Sequence, residues 1–137
     1  MNIALMAHDN KKELMVQFCT AYCGILSKHD ICATSTTGRM VTEASGLPVR
    51  LFLSHTHGGT QQIGARLSYN EIDLVLYFED PNDPNGAGDL TYIAKLCDMN
   101  SIPLATNIAT AEMLILGLAR GDLDWRLHYN PGTKPIV

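Results

Sequence analysis

The sequence predicts an α/β fold built on a parallel sheet that is covered on both faces. Three observations carry this. Five short apolar runs are spread along the 137 residues. Segments with helical spacing separate them. The unusual polar side chains gather where the apolar runs end. Strands buried on both faces read as continuous apolar runs, and strands alternating with helices imply parallel pairing through crossovers.

The first run, Met1–Ala7 (MNIALMA), reads as a buried strand that ends at His8-Asp9. From Asn10 to His29 the spacing of Leu14, Met15, Phe18, Cys19, Tyr22, Ile25 and Leu26 predicts one helix with one apolar stripe. Ile31–Thr34 is the second strand, followed by the hydroxyl-rich turn Ser35-Thr36-Thr37-Gly38 and a short helix over Met40–Ala44. Val49–Ser54 is the third strand, His55–Thr60 a loop, and Gln61–Tyr69 a helix. Asp73–Phe78 (DLVLYF) is the strongest strand. Glu79–Gly88 is a loop by its prolines, glycines and asparagines. Asp89 reads as the N-cap of a helix to Asn100. Ile102–Asn107 is the fifth strand and Thr110–Arg120 the last helix, with a polar tail, Gly121–Val137, carrying Trp125, Tyr129 and Pro131.

Composition bounds the function. The length suits one domain, 1–137, since single domains commonly run to about 100–200 residues. Ten Lys and Arg against fourteen Asp and Glu give a net charge of −4 with no charged block, which excludes the footprint of a nucleic-acid binder. No apolar stretch approaches the roughly 20 residues of a membrane span. The N-terminus lacks the basic start of a signal peptide, so the four cysteines read as reduced and buried in a cytoplasmic protein.

Ligands of open parallel sheets sit beyond the strand C-termini. Here those ends are His8-Asp9, Thr34–Gly38, Ser54–Thr60, Glu79-Asp80 and Thr106-Asn107. Thr34, Thr36 and Thr37 offer hydroxyls before a helix, whose free amides attract anions. Gly38, Ser54 and Gly59 belong to the same edge, and Lys12 adds a point charge. Together they point to a phosphate or a small phosphorylated molecule; singly, Thr36, Thr37 and Ser54 read better as caps and turn residues. His8, Asp9, Asp80 and Asp89 are the candidates for acid–base work. His55 and His57 stand two apart in a glycine-flanked loop, but no third ligand supports a metal. Asp83, Asp98, Asp122, Asp124 and His128 read as surface groups. Neither a Walker loop nor a dinucleotide fingerprint is present, so no nucleotide cofactor is expected.

Several segments, in order, resemble methylglyoxal synthases: IALMAHDNKK at Ile3–Lys12, ATSTTG at Ala33–Gly38, GGTQQIGARL at Gly58–Leu67, Asp80-Pro81, and IPLATNIATAE at Ile102–Glu112. The similarity runs to about Arg126. It implies a Rossmann-like three-layer α/β/α domain with a five-stranded parallel sheet, and a cytoplasmic homohexamer. The implied activity is metal- and cofactor-free: a carboxylate enolises dihydroxyacetone phosphate, and phosphate is eliminated to leave methylglyoxal. Carried over, Lys12, Thr34, Thr36, Thr37 and Ser54 would hold phosphate, with His8, Asp9, Asp80 and Asp89 around the chemistry.

The departures fall on that chemistry. The family stretch SGPxGGDQQ is here Ser54-His55-Thr56-His57-Gly58-Gly59-Thr60-Gln61-Gln62, so Thr60 stands at the base position and His55 replaces a glycine. The loop histidine of PHxPD, which polarises the substrate carbonyl, is absent from Pro84–Asp89. TGTTG becomes Thr34-Ser35-Thr36-Thr37-Gly38. A general base is worth roughly 10²–10⁴-fold, so the expectation is a synthase-type lyase impaired or rebuilt at its base, with His57, His55 or Glu79 as replacements. The alternative is a diverged relative that binds or acts on another small phosphorylated compound. A third class, a protein-interaction module, has little in the sequence to favour it. Restored synthase activity in Thr60→Asp, measured as methylglyoxal formation, would show that the rest of the site is intact.

Overall fold

The computed structural model describes residues 1–84 and 87–128. Five strands, β1 (Asn2–Ala7), β2 (Asp30–Ala33), β3 (Val49–Leu51), β4 (Leu74–Phe78) and β5 (Leu104–Ala105), alternate with helices. The helices are α1 (Lys12–Ala21), α2 (Cys23–Leu26), α3 (Ser35–Ser45), α4 (Gly59–Ser68), α5 (Ala87–Met99) and α6 (Ile108–Arg120). Every strand pair is parallel, in the order β3-β2-β1-β4-β5. The predicted α/β class and five-stranded sheet are therefore present.

The strand order explains the three layers. The chain moves from β1 out to β3, then returns past β1 to lay down β4 and β5. Right-handed crossovers put the helices of the two directions on opposite faces. Ile3, Leu5, Leu74, Leu76 and Phe78 pack against α1, α3 and α6 through Met15, Phe18, Val41, Ala111 and Ile115. The alternate positions, Ala4, Met6, Val75 and Tyr77, pack against α4 and α5 through Ile63, Leu67, Ile93 and Cys97. β4 is buried at all five positions, as its apolar run requires.

Several expected boundaries shift for local reasons. The single helix over Asn10–His29 is broken: Asp9–Lys11 forms a 3₁₀ turn, and Tyr22 leaves helical geometry at φ −108°, ψ 21°. The turn Ser35–Gly38 is the first turn of α3 rather than a separate feature, with Thr34 as an extended N-cap. Asp89 lies inside α5 instead of capping it. The last helix starts earlier, where Asn107 caps it by accepting from the Thr110 N–H at 3.0 Å. β3 is only three residues long, and Leu51 and Leu53 are exposed at this sheet edge. Asn85, Gly86, Tyr129 and Pro131 lie outside the described residues.

Cys19, Cys32 and Cys97 are buried and Cys23 is half-buried, all as free thiols. Burial pushes the Cys19 and Cys97 thiols up to about 12 and Cys32 to about 11. No helix among the described residues is long and apolar enough to cross a membrane.

The tail anchors the end of the sheet opposite the strand C-termini. Arg126, 2% exposed, pairs with the fully buried Asp73 at 3.2 Å. Its guanidinium also donates to the carbonyls of Ser101 at 2.8 Å and Ile72 at 3.2 Å, and to Asn70 Oδ1 at 2.6 Å. Asn70 and Ser101 are the two non-glycine residues with positive φ among those described, so the guanidinium braces both tight turns. Asp73 accepts in addition from the Asn2 N–H at 2.9 Å. Removing one partner of a buried pair leaves a bare charge. Arg126→Ala is expected to lose about 3–5 kcal/mol of stability in chemical denaturation; a loss well below that would mean water reaches Asp73.

Candidate active site at the strand ends

β1 and β4 are neighbours at the point where the strand order reverses, so their carboxyl ends open a crevice. A cavity of about 250 Å³ lies there. Five of the residues singled out from the sequence line it: His8, Asp9, Thr34, His55 and Asp89. Tyr77 and Asp83 join them, and neither was a candidate. Asp83 is thus not simply a surface carboxylate. The apolar run of β4 concealed Tyr77, whose ring is 4% exposed.

His8 is fixed from three sides. Its N–H donates to the Phe78 carbonyl at 3.0 Å, its ring stands edge-on to Tyr77 at 5.4 Å, and its Nδ1 accepts from the Asp80 N–H at 2.8 Å. With Nδ1 accepting, the ring hydrogen belongs on Nε2. Asp80 therefore acts through its backbone. Its carboxylate accepts from the Asn82 N–H and the Asn10 amide, each at 3.0 Å. These bonds, in that order, hold the Asp80 carboxyl below its usual range. Asp80 orients His8 and does not line the cavity.

Lys12 lies under the end of β1. Its Nζ donates to the Ala7 carbonyl at 2.7 Å and pairs with Asp9 at 3.2 Å, the Asp9 side chain being 83% exposed. The helix α3 begins without a side-chain cap. The first amides of a helix have no intrahelical acceptor, and they carry the positive end of its dipole. Thr36 is exposed and Thr37 buried on that first turn. The buried Thr37 Oγ1 has no hydrogen-bond partner among the described residues. Gly38 serves packing: a Cβ there would come within 2.4 Å of the Leu51 side chain, so glycine lets α3 lie close on β2 and β3.

The 54–60 segment divides its work. Ser54 Oγ is 2.7 Å from His57 Nδ1 and 3.2 Å from Thr56 Oγ1, closing a small cluster on an exposed 3₁₀ turn. His57 is bound up in that cluster and is not among the cavity residues, so it is poorly placed as a replacement base. Gly59 is needed for sterics. Its N–H is taken by the Ser54 carbonyl at 2.9 Å, and a Cβ would fall 1.9 Å from the Leu53 carbonyl oxygen. Gly59 thus has a steric part in closing the turn.

Thr60 is fully buried, and its hydroxyl donates to Asp89 Oδ2 at 3.0 Å. This bond ties the first turn of α4 to the first turn of α5. The two helices can approach because Gly64 leaves room for Tyr92, whose hydroxyl oxygen would be 2.4 Å from a Cβ there. Asp89 benefits from the amino end of α5, where negative charge is favoured. One of its oxygens is held by Thr60, and the residue lines the cavity. Among the described residues, no three His, Cys, Asp or Glu side chains gather as a metal site.

One small strand-end cavity thus brings together a carboxylate, an oriented imidazole and the residue that precedes the uncapped start of α3. The model of the MGS-like domain matches residues 14–106. The chain is 56% identical over 136 residues to a methylglyoxal synthase of Caldicellulosiruptor saccharolyticus, covering 96% of this chain and 94% of that protein. A methylglyoxal synthase of Geobacillus thermodenitrificans is 51% identical over 131 residues, covering 92% and 88%. The crystal structure of methylglyoxal synthase from Elizabethkingia anophelis NUHP1 matches with a TM-score of 0.75 at 35% identity, covering 83% of this chain and 76% of that one. The chain belongs to the methylglyoxal synthase family.

The Gly59 geometry is directly testable. Gly59→Ala should cost about 1–3 kcal/mol or more in chemical denaturation, because the atoms met are backbone and cannot swing aside. Gly24→Ala, where a Cβ meets nothing within 4 Å, should be neutral or slightly stabilising.

Proposed function

We propose that this chain is a carbon–oxygen lyase of the methylglyoxal synthase type, acting on dihydroxyacetone phosphate, with Asp89 as its base. The observation that carries the reading is the Asp89 carboxylate in the cavity wall, one oxygen held by the buried Thr60 hydroxyl at 3.0 Å. The other oxygen is left to take a proton. Thr60 itself stays neutral near pH 7 and acts as the group that positions the base.

The substrate phosphate goes to the start of α3, where the uncapped amides, the unpartnered Thr37 hydroxyl and Lys12 favour a dianion. Asp89 removes a proton from the hydroxymethyl carbon. The electron pair moves into a carbon–carbon double bond, and negative charge grows on the former carbonyl oxygen. The enediolate then collapses: the hydroxyl on the carbon that lost its proton becomes the aldehyde carbonyl, its proton passing to the departing phosphate, the carbon–carbon double bond shifts to the phosphate-bearing carbon, and the bond from that carbon to the phosphate oxygen breaks. Protonation of the resulting enol at the carbon that lost phosphate gives methylglyoxal. No metal or cofactor enters this sequence. Hydrogen-bond donors fixed around the developing oxyanion supply much of the rate in such chemistry, and the oriented His8 ring lines the same cavity. Family membership extends the reading to a cytoplasmic homohexamer.

A second reading rests on Thr60 and His55: with a hydroxyl at the base position and an imidazole in the cavity wall, the pocket is fitted to another small phosphorylated compound.

Wild-type protein given dihydroxyacetone phosphate should release methylglyoxal and phosphate in equal amounts. Asp89→Asn should lower kcat about 10²–10⁴-fold, and Thr60→Val, which loses one charge-assisted hydrogen bond, about ten- to a hundredfold. Wild-type rates in Asp89→Asn would place the base elsewhere. Phosphate-induced thermal stabilisation without product would select the second reading.

A further inference from the structure

We propose that the Tyr77 hydroxyl is a catalytic hydrogen-bond donor to the substrate's carbonyl oxygen as the enediolate forms. This rests on the lyase reading above, and it concerns the half of the reaction that a base cannot supply. Enolisation moves an electron pair toward the carbonyl oxygen, and a donor already aimed at that oxygen lowers the barrier.

Tyr77 brings the one polar side-chain atom of β4, whose other residues are Leu74, Val75, Leu76 and Phe78. A tyrosine buried this deeply normally spends its hydroxyl on a neighbour. Here the hydroxyl has no hydrogen-bond partner among the described residues, although the residue is 4% exposed and lines the cavity. The ring is held by packing, with His8 edge-on at 5.4 Å and an interplanar angle of 84°. The donor is thus fixed in direction by its strand and ring contacts, with no partner to give up when substrate arrives.

The surroundings keep it a donor. Burial raises the Tyr77 phenol above the usual tyrosine range, and the carboxylates Asp89, Asp83 and Glu79 add to the rise. Asp89, the base, lines the same cavity. A carbonyl oxygen toward Tyr77 and the adjacent carbon toward Asp89 is the arrangement that proton abstraction needs. Phosphate at the start of α3, beyond Thr34, completes a three-point hold on a three-carbon substrate.

Tyr77→Phe removes the oxygen and keeps the ring. Its kcat on dihydroxyacetone phosphate should fall about 10²–10³-fold, with KM close to wild type and the melting temperature unchanged. A second readout is independent of turnover. 2-Phosphoglycolate carries a carboxylate that stands in for the enediolate oxygens. Calorimetry should show it bound about tenfold or more weakly by Tyr77→Phe, while inorganic phosphate binds both proteins alike. Equal affinity of both proteins for 2-phosphoglycolate overturns the Tyr77 proposal and leaves the lyase reading standing. Wild-type protein that binds both anions but makes no methylglyoxal overturns the lyase step, and the 2-phosphoglycolate comparison still decides Tyr77. Wild-type protein that binds neither anion overturns both.

Discussion

The reversal of strand order between β1 and β4 governs the rest of the molecule. Because β4 returns to the far side of β1, the connections that leave these two strands diverge and the sheet's carboxyl edge opens between them. His8 and Asp9 leave β1 there, Tyr77 lies near the end of β4, and α5 delivers Asp89 from the opposite layer. The edge also receives the start of α3 from the first layer. No single segment holds the site. It exists only when the sheet is assembled, which is why its residues are spread from position 8 to position 89.

Two polar contacts do different work at the two ends of the sheet. At the amino end, Arg126 and Asp73 form a buried pair whose remaining hydrogen bonds go to turn carbonyls and Asn70, which offsets the cost of desolvation. At the carboxyl end, the Thr60 hydroxyl holds one oxygen of Asp89, a residue of the cavity wall. At position 60 a hydroxyl donor faces the Asp89 carboxylate.

β1 and β4 were legible because each is a run of apolar residues buried on both faces, and the rule for ligands at strand ends then brought His8, Asp9, Thr34, His55 and Asp89 into view. Three kinds of residue escaped. Tyr77 was hidden because an aromatic in an apolar run reads as core, and only the crevice beside it makes its hydroxyl matter. Asp83 was hidden because a carboxylate in a polar loop resembles any other. Arg126 was hidden because its partners, Asp73 and the turns at Asn70 and Ser101, are distant in sequence. Helix boundaries moved where caps decide: hydroxyl residues at 35–37 read as a turn yet start α3, and Tyr22 breaks an apolar stripe whose spacing is continuous. For Gly59, strand-end position suggested ligand contact, and the close approach of the Leu53 carbonyl supplies a steric reason for glycine that the sequence does not show.

The central claim is that one cavity, between β1 and β4, holds a triose phosphate with its phosphate on α3 and its reacting carbon before Asp89. A crystal structure of the protein with 2-phosphoglycolate tests this most directly. The account predicts phosphate oxygens on the first amides of α3 and the Thr37 hydroxyl, with the carboxylate between Tyr77 and Asp89. Density for the ligand elsewhere, or a reversed pose with phosphate against Asp89, would contradict it.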